Sequence, residues 1–285
     1  MSEFRFPSST FVIAEIGINH NGSMEMAMKL IDAAAQAGAD AVKFQKKTPR
    51  LSLPPALWDQ VRDTPWGQRM TYIEYRERME FSGKQLAELK RYAEEACNLH
   101  FSASAWDQNA ANTLSELDLP FYKIASASLT DVDLVRHIGQ FGKPVVLSTG
   151  MSTLTEINRA VSILRPLVPA LGILVCTSAY PTKPEDINLE RIHTMQGLYP
   201  FAEVGYSGHE AGLWMTLCAV AMGARIIERH ITLDRTMPGT DQAASVEPRG
   251  FELLVREIRQ FEKARGSGEI RLLDCDLPSI KRLRG

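Results

Sequence analysis

The chain has 285 residues, enough for one large domain or two small ones, and at that length roughly 75% of the unfolded surface is buried without disulfide or metal staples. Apolar residues at 45% and charged residues at 23% exclude a disordered or fibrous chain. A formal net charge of −2 leaves no basic excess, so neither nucleic acid nor an anionic membrane is an expected partner.

Short runs rich in Val, Ile, Phe and Ala recur along the chain, each followed by a helical pattern. The first is FVIAEIGIN (11–19). Behind it Met24, Ala27, Met28, Ile31, Ala34 and Ala35 keep helical spacing, and Gly38 closes that helix. AVKFQ (41–45) is the second run. A proline-bearing excursion follows, until Ser82 and Gln85 form a capping-box signature for a helix to about Asn98. HFSAS (100–104) precedes a helix over about 107–118, and FYKIAS (121–126) precedes one capped by Asp131. PVVLSTG (144–150) is followed by a second capping-box pair, Thr153 and Glu156. GILVCTS (172–178) leads to a helix within 186–198, and EVGYSGH (203–209) to an Ala-rich helix ending at Gly223. RIIERHIT (225–232) is the eighth run. Phe251, Leu254, Val255, Ile258 and Phe261 mark one face of the last helix.

Alternating strands and helices imply a parallel sheet. Eight units of this length fit a (β/α)8 TIM barrel better than an open doubly wound sheet. No GxGxxG follows the first strand, where an open nucleotide-binding sheet would carry one. The barrel is expected over residues 1–266, with 267–285 a tail or the start of a linker.

The four cysteines, Cys97, Cys176, Cys218 and Cys275, form no Cys-x-x-Cys, so reduced thiols are expected rather than a zinc ribbon or a disulfide framework. Cys176 reads as core. The N-terminal MSEFRFPSST lacks the apolar stretch of a signal peptide. The longest apolar runs, such as 213–223, fall short of the ~20 residues that span a bilayer. A soluble, cytoplasmic protein is the expectation.

Parallel barrel strands are apolar on both faces, so charge within them needs a reason. Here polar residues gather toward the strand ends, where such barrels place their active sites. They include Glu15, Lys43 and Gln45, Ser102 and Ser104, Lys123 and Ser126, Ser148, Ser178, Ser207 and His209, Glu228 and His230. Residues two apart share a face, so Lys43 with Gln45, and Glu228 with His230, point into one mouth. An unpaired buried ammonium costs several kcal/mol, so lysines on strands two and four imply a bound anion or partner carboxylates. His209 and His230 end adjacent strands, either as two ligands of one divalent ion or as packing groups; Glu228 nearby favours the ion. GYSGH lacks the final Gly of a nucleophile elbow, and a serine hydrolase is rejected.

The segments AEIGINHNG, VKFQK, FYKIAS, LSTGMST, CTSAYPT, GYSGHE and ERHITLD resemble the sialic acid synthases. These are the phosphoenolpyruvate-dependent N-acetylneuraminate and N-acetylneuraminate-9-phosphate synthases with their legionaminate and pseudaminate relatives. The likeness runs from about Thr10 to Arg265, and WG with EYRERMEFS in the excursion resembles the animal type. It implies a transferase that condenses phosphoenolpyruvate with an amino sugar such as N-acetylmannosamine, giving a nonulosonic acid and phosphate. By that resemblance Lys43, Ser104, Lys123, Ser126, Ser148, Ser178 and Ser207 hold phosphoenolpyruvate. Glu15, Gln45, Tyr180 and Asp241 surround the sugar. His209 and His230 bind a divalent ion, manganese first, with magnesium or cobalt as alternatives. Glu15, Lys123 and Glu228 are the expected catalytic groups. A homodimer is implied, as is an alternative legionaminate, pseudaminate or other 3-deoxy-2-keto acid synthase. A noncatalytic phosphoenolpyruvate-binding barrel is a further alternative. Gln242 and Ser178 depart from the family, which commonly has His at the first position and often Asn at the second. Most members also continue into an antifreeze-like domain that lends an arginine to the partner subunit's sugar site. The expectation here is a barrel without it, as either a truncated chain or a barrel-only protein, with KRLRG standing where that domain would begin.

Overall fold

Each apolar run hydrogen-bonds in parallel to its neighbours, and the eight close into a ring with helices outside. The computed structural model describes residues 4–284; Met1 to Glu3 and Gly285, part of the N-terminal stretch and of KRLRG, lie outside the described residues. The barrel strands are β1 (Phe11–Gly17), β2 (Ala41–Lys46), β3 (His100–Ala105), β4 (Tyr122–Ile124), β5 (Val145–Ser148), β6 (Leu171–Cys176), β7 (Glu203–Gly208) and β8 (Ile226–His230). β8 pairs with β1, which closes the (β/α)8 barrel. The outer helices are α1 (Met24–Ala37), α2 (Gly83–Arg91), α3 (Gln108–Ser115), α4 (Val132–Gly139), α5 (Leu154–Leu164), α6 (Arg191–Leu198), α7 (Trp214–Ala221) and α8 (Pro248–Arg265).

Local signals in the sequence account for many of the ends. Gly38 takes the left-handed conformation, φ 81°, that ends α1. Both anticipated capping boxes form, at Ser82 with Gln85 and at Thr153 with Glu156. Asp131 accepts from the Leu134 N–H as the cap of α4. The helix expected to run to Asn98 leaves α geometry at Arg91 and widens into a π turn over Tyr92–Ala96. The excursion after β2 folds into a short antiparallel hairpin, Val61–Asp63 with Arg69–Thr71, and a helix, Tyr72–Met79. Its own capping box, Thr71 with Glu74, was not anticipated.

Period-two alternation sorts each strand into an outer and an inner set. Val12, Ala14 and Ile16 of β1 join the outer core under the helices. Phe11, Ile13, Ala41, Phe121, Val146, Leu174 and Ile226 fill the barrel's lower interior. Phe4 and Phe6 plug its bottom, with Phe4 stacked on Phe121 at 5.4 Å. Beyond α8, residues 267–279 are exposed, and Leu277–Leu283 forms a short helix at the surface. No helix among the described residues is long and apolar enough to cross a membrane.

Candidate active site

The polar rim follows from the same alternation carried one step up each strand. Two residues above Ile13 stands Glu15; above Ala41, Lys43; above Phe121, Lys123; above Val146, Ser148; above Leu174, Cys176; above Ile226, Glu228. Strand register levels them. Glu15 pairs with Lys43 on one side and His230 on the other. Ser207 lies opposite both Glu228 and Cys176, and Ser104 opposite Gln45 and Lys123.

These side chains line one cavity of about 210 Å³ at the C-terminal strand ends. Glu15, Lys43, Gln45, Ser104, Lys123, Ser126, Ser148, Ser178, Tyr180, Ser207, His209, Glu228 and His230 all face it. Asp241 stands beside it, its Oδ2 3.8 Å from His230 Nδ1. The two lysines do meet carboxylates. Lys43 Nζ lies 2.5 Å from Glu15 Oε2 and 3.9 Å from Glu228 Oε2. Lys123 Nζ lies 3.6 Å from Glu228 Oε1 and donates to Ser148 Oγ at 2.7 Å. Ser207 Oγ donates to Glu228 Oε1, and Gln45 Nε2 to Glu15 Oε1, both at 3.1 Å. Several buried polar atoms still lack a partner among the described residues: Ser104 Oγ, Trp106 Nε1, Glu228 Oε2 and His230 Nδ1. Buried groups of this kind are ordinarily satisfied, so the cavity is built to receive polar ligand atoms.

The two carboxylates differ in charge state. Burial pushes Glu15 up to about 7, against the pull of Lys43 and with the charge of Glu228 adding to the rise. Burial also opposes ionisation of Glu228, but Lys123, Lys43 and His230 outweigh it and hold Glu228 down at about 2. Near neutral pH one carboxyl exchanges its proton and the other stays charged, the division of labour that acid–base chemistry uses.

The histidines fit a divalent ion. His209 Nδ1 donates to the Thr177 carbonyl at 3.0 Å, with Cys176 Sγ 3.8 Å away as a looser neighbour. In the neutral ring that bond leaves the lone pair on Nε2, while against burial Cys176 and the Thr177 carbonyl raise the pKa of His209. Burial lowers His230 to about 3, so its ring is neutral, the ligating form. The ring centroids are 5.4 Å apart, and Tyr180 packs 4.2 Å from His209. No group of three or more His, Cys, Asp or Glu among the described residues gathers as a ligand set. An ion here would take two imidazoles and fill its sphere with water and substrate oxygens.

Gln242 does not reach the cavity wall. It is buried, accepts from Thr232 Oγ1 and donates to the Asn19 carbonyl at 3.3 Å, pinning its loop to the end of β1. Cys176, read as core, is buried yet forms part of the wall. Trp106 and Met151 also line the cavity. Trp106 was legible, since it stands two residues after Ser104 on the inward face. Met151 sits in a positive-φ turn after β5 and carried no signal.

Residues 30–270 match the NeuB family. The chain is 40% identical over 273 residues to the N-acetylneuraminate-9-phosphate synthase of Homo sapiens, covering 96% of this chain and 76% of that protein. It is 35% identical over 267 residues to the N,N'-diacetyllegionaminic acid synthase of Campylobacter jejuni, covering 91% and 78%. A crystal structure of N-acetylneuraminic acid (sialic acid) synthetase from Leptospira borgpetersenii superposes with a TM-score of 0.83 at 32% identity, over 98% of this chain and 92% of that one. The family match spans most of the sequence, and each likeness extends over most of both partners; the chain belongs to the NeuB family.

Proposed function

We propose that this protein condenses phosphoenolpyruvate with an N-acetylhexosamine, N-acetylmannosamine or its 6-phosphate, to give a nonulosonic acid and phosphate. The observation that supports this reading best is the convergence of two buried lysines, two carboxyls of divergent charge state and two imidazoles around one cavity. Lys123, with Ser148, Ser126, Ser104, Ser178 and Ser207, binds the phosphate and carboxylate of phosphoenolpyruvate through charge-assisted hydrogen bonds. Lys43 joins them from β2, and Glu228 holds both ammonium groups in place.

Carbon 3 of phosphoenolpyruvate forms the new bond to the aldehyde carbon of the open-chain sugar. The aldehyde oxygen takes up a proton, and carbon 2 becomes electron-poor. Water adds at carbon 2 and loses a proton. The carbon–oxygen bond to phosphate then breaks as the new hydroxyl on carbon 2 gives its proton to the departing phosphate, leaving the 2-keto acid. Glu15 carries the proton: protonated, it donates to the aldehyde oxygen, and as carboxylate it takes the proton of the water. Gln45, Tyr180 and Asp241 orient the sugar, which converts the encounter of two substrates into a positioned reaction. A divalent ion held by His209 and His230, manganese first, would supply Lewis-acid polarisation of the aldehyde.

The test is phosphate release from phosphoenolpyruvate with manganese and a panel of N-acetylhexosamines that includes the precursors of legionaminic and pseudaminic acids. Acceptor-dependent release is expected, abolished by chelation and restored by added metal. Binding of phosphoenolpyruvate with no release for any acceptor would leave a binding protein instead.

A further inference from the structure

Two buried cations of the excursion after β2 have no anionic partner among the described residues. Arg76, on the helix Tyr72–Met79, is 5% exposed, and its Nε and Nη2 are buried without a hydrogen bond. Those two nitrogens form one edge of the guanidinium, the fork that takes two oxygens of a phosphate or carboxylate. Lys47, just past β2, is 8% exposed, and its Nζ lies 3.4 Å from the centroid of the Trp106 ring. The nearby carboxylate is already engaged: Glu80 pairs with Lys46 at 3.2 Å and accepts from the Lys47 backbone N–H at 3.0 Å. Burial lowers Lys47 to about 7, and the neighbouring charge of Arg76 pushes the same way. Two like charges held together out of water are costly unless an anion joins them.

Their place points to which anion. Trp106, under Lys47, is a wall of the catalytic cavity. Glu15, Gln45 and Asp241 converge above Gly17, where an added Cβ would stand 3.1, 3.1 and 3.5 Å from their side-chain atoms. Asp241 lies 3.8 Å from His230 at one end of this path. The path therefore runs from the histidines, past the sugar-orienting side chains, to Trp106 and Lys47, and the Lys47 backbone N–H meets Glu80, one helical turn beyond Arg76. Phosphoenolpyruvate has its own cation, Lys123, on β4 and its own hydroxyls.

We infer that Arg76 and Lys47 form a subsite for a phosphate monoester on the acceptor sugar, at the end remote from its reacting carbonyl. The inference rests on the condensation proposed above and selects the phosphorylated acceptor for it. An unphosphorylated sugar leaves both cations unpaired, so these residues set specificity.

The experiment compares kcat/KM for N-acetylmannosamine 6-phosphate and N-acetylmannosamine in wild type, Arg76→Gln, Arg76→Lys and Lys47→Gln. Wild type prefers the phosphorylated sugar. Each Gln variant lowers that preference on the order of 10- to 100-fold, the worth of a hydrogen bond to a charged group, and Arg76→Lys retains part of it. An unchanged ratio overturns the inference, as does a wild type without preference. A rise confined to the KM of phosphoenolpyruvate assigns the pair to the other substrate and also overturns it. Arg76 has no partner to lose, so Arg76→Gln keeps the thermal midpoint; a large drop with equal loss toward both sugars makes Arg76 structural and refutes the subsite. If no acceptor turns over, the condensation fails by itself. Calorimetric titration with the sugar 6-phosphate then decides the subsite: binding weakened in Arg76→Gln sustains it, and equal binding ends it.

Discussion

Glu15 and Glu228 are the same side chain in one cavity, and their neighbours separate them. Glu228 sits between two ammonium groups and is ionised throughout the working range, while Glu15 titrates near 7 because burial outweighs its single lysine. The proposed mechanism starts from protonated Glu15. Its kcat/KM therefore falls as pH rises through about 7, and Glu15→Gln removes that limb while lowering kcat on the order of 10²- to 10⁴-fold. A pH profile of the variant that keeps the limb would assign the proton to another group. The linkage to stability has a definite sign. Glu15 is raised, so its favourable contribution is full below its ordinary 4.5 and gone by about pH 7. Glu228 is depressed, so its contribution holds above 4.5 and is lost as pH falls toward about 2. The charged and imidazole members of this site were legible because charge inside a parallel strand is anomalous and the strand period tells which way it points. The pKa split was not legible, since it depends on which lysine lies across which strand gap.

At the scale of elements, barrel strands bring the site together, and one glycine shows how tightly. Gly205 lies in the middle of β7, opposite Leu174 of β6. A Cβ there would stand 2.1 Å from the Ile226 carbonyl and 2.5 Å from Leu174 Cδ2. The clash is with the backbone of β8, which cannot swing away as a side-chain tip can. Gly205→Ala is expected to destabilise by about 3 kcal/mol or more, at the upper end of overpacking costs, and to weaken binding of the proposed ion, because His209 directly follows β7 and His230 ends β8. Denaturant unfolding and a metal titration check both effects; unchanged values in both would mean that the strands separate freely. The strand–helix order and several caps could be read in advance, since periodicity and capping chemistry are local. The excursion could not. Its hairpin and helix owe their shape to stacking across the segment, such as Arg62 on Tyr72 and Arg78 on Trp66 at 4.0 Å, and to docking over the barrel mouth, as where Trp66 Nε1 donates to the Asn21 carbonyl at 3.1 Å. Pattern along the chain does not encode such contacts.

For the whole molecule, closure joins the first strand to the last helix. α8 lays Phe251, Leu254, Val255 and Ile258 into the outer core beside α1. Its Arg259 donates to the Thr10 carbonyl at 2.6 Å and pairs with Asp40 at 2.7 Å, and Asp40 in turn accepts from the Val12 N–H at 2.7 Å. These bonds tie α8 to the start of β1 and to the turn before β2. The segment after Gly266 takes no part: Ile270, Leu272, Leu273, Leu277 and Leu283 are all exposed. Hydrophobic stabilisation scales with area removed from water, so these side chains contribute little to the isolated fold. Deleting residues 267–285 should leave the thermal midpoint within about 2 °C, the shift of a fraction of a kcal/mol in a domain of this size, whereas cutting before Pro248 should abolish cooperative unfolding. A larger fall on removing the tail alone would show that its leucines are covered in solution. Repeating the melt across a range of protein concentrations then identifies the cover: a concentration-dependent midpoint means a second copy of the chain, and a constant one means that the tail folds back on its own barrel.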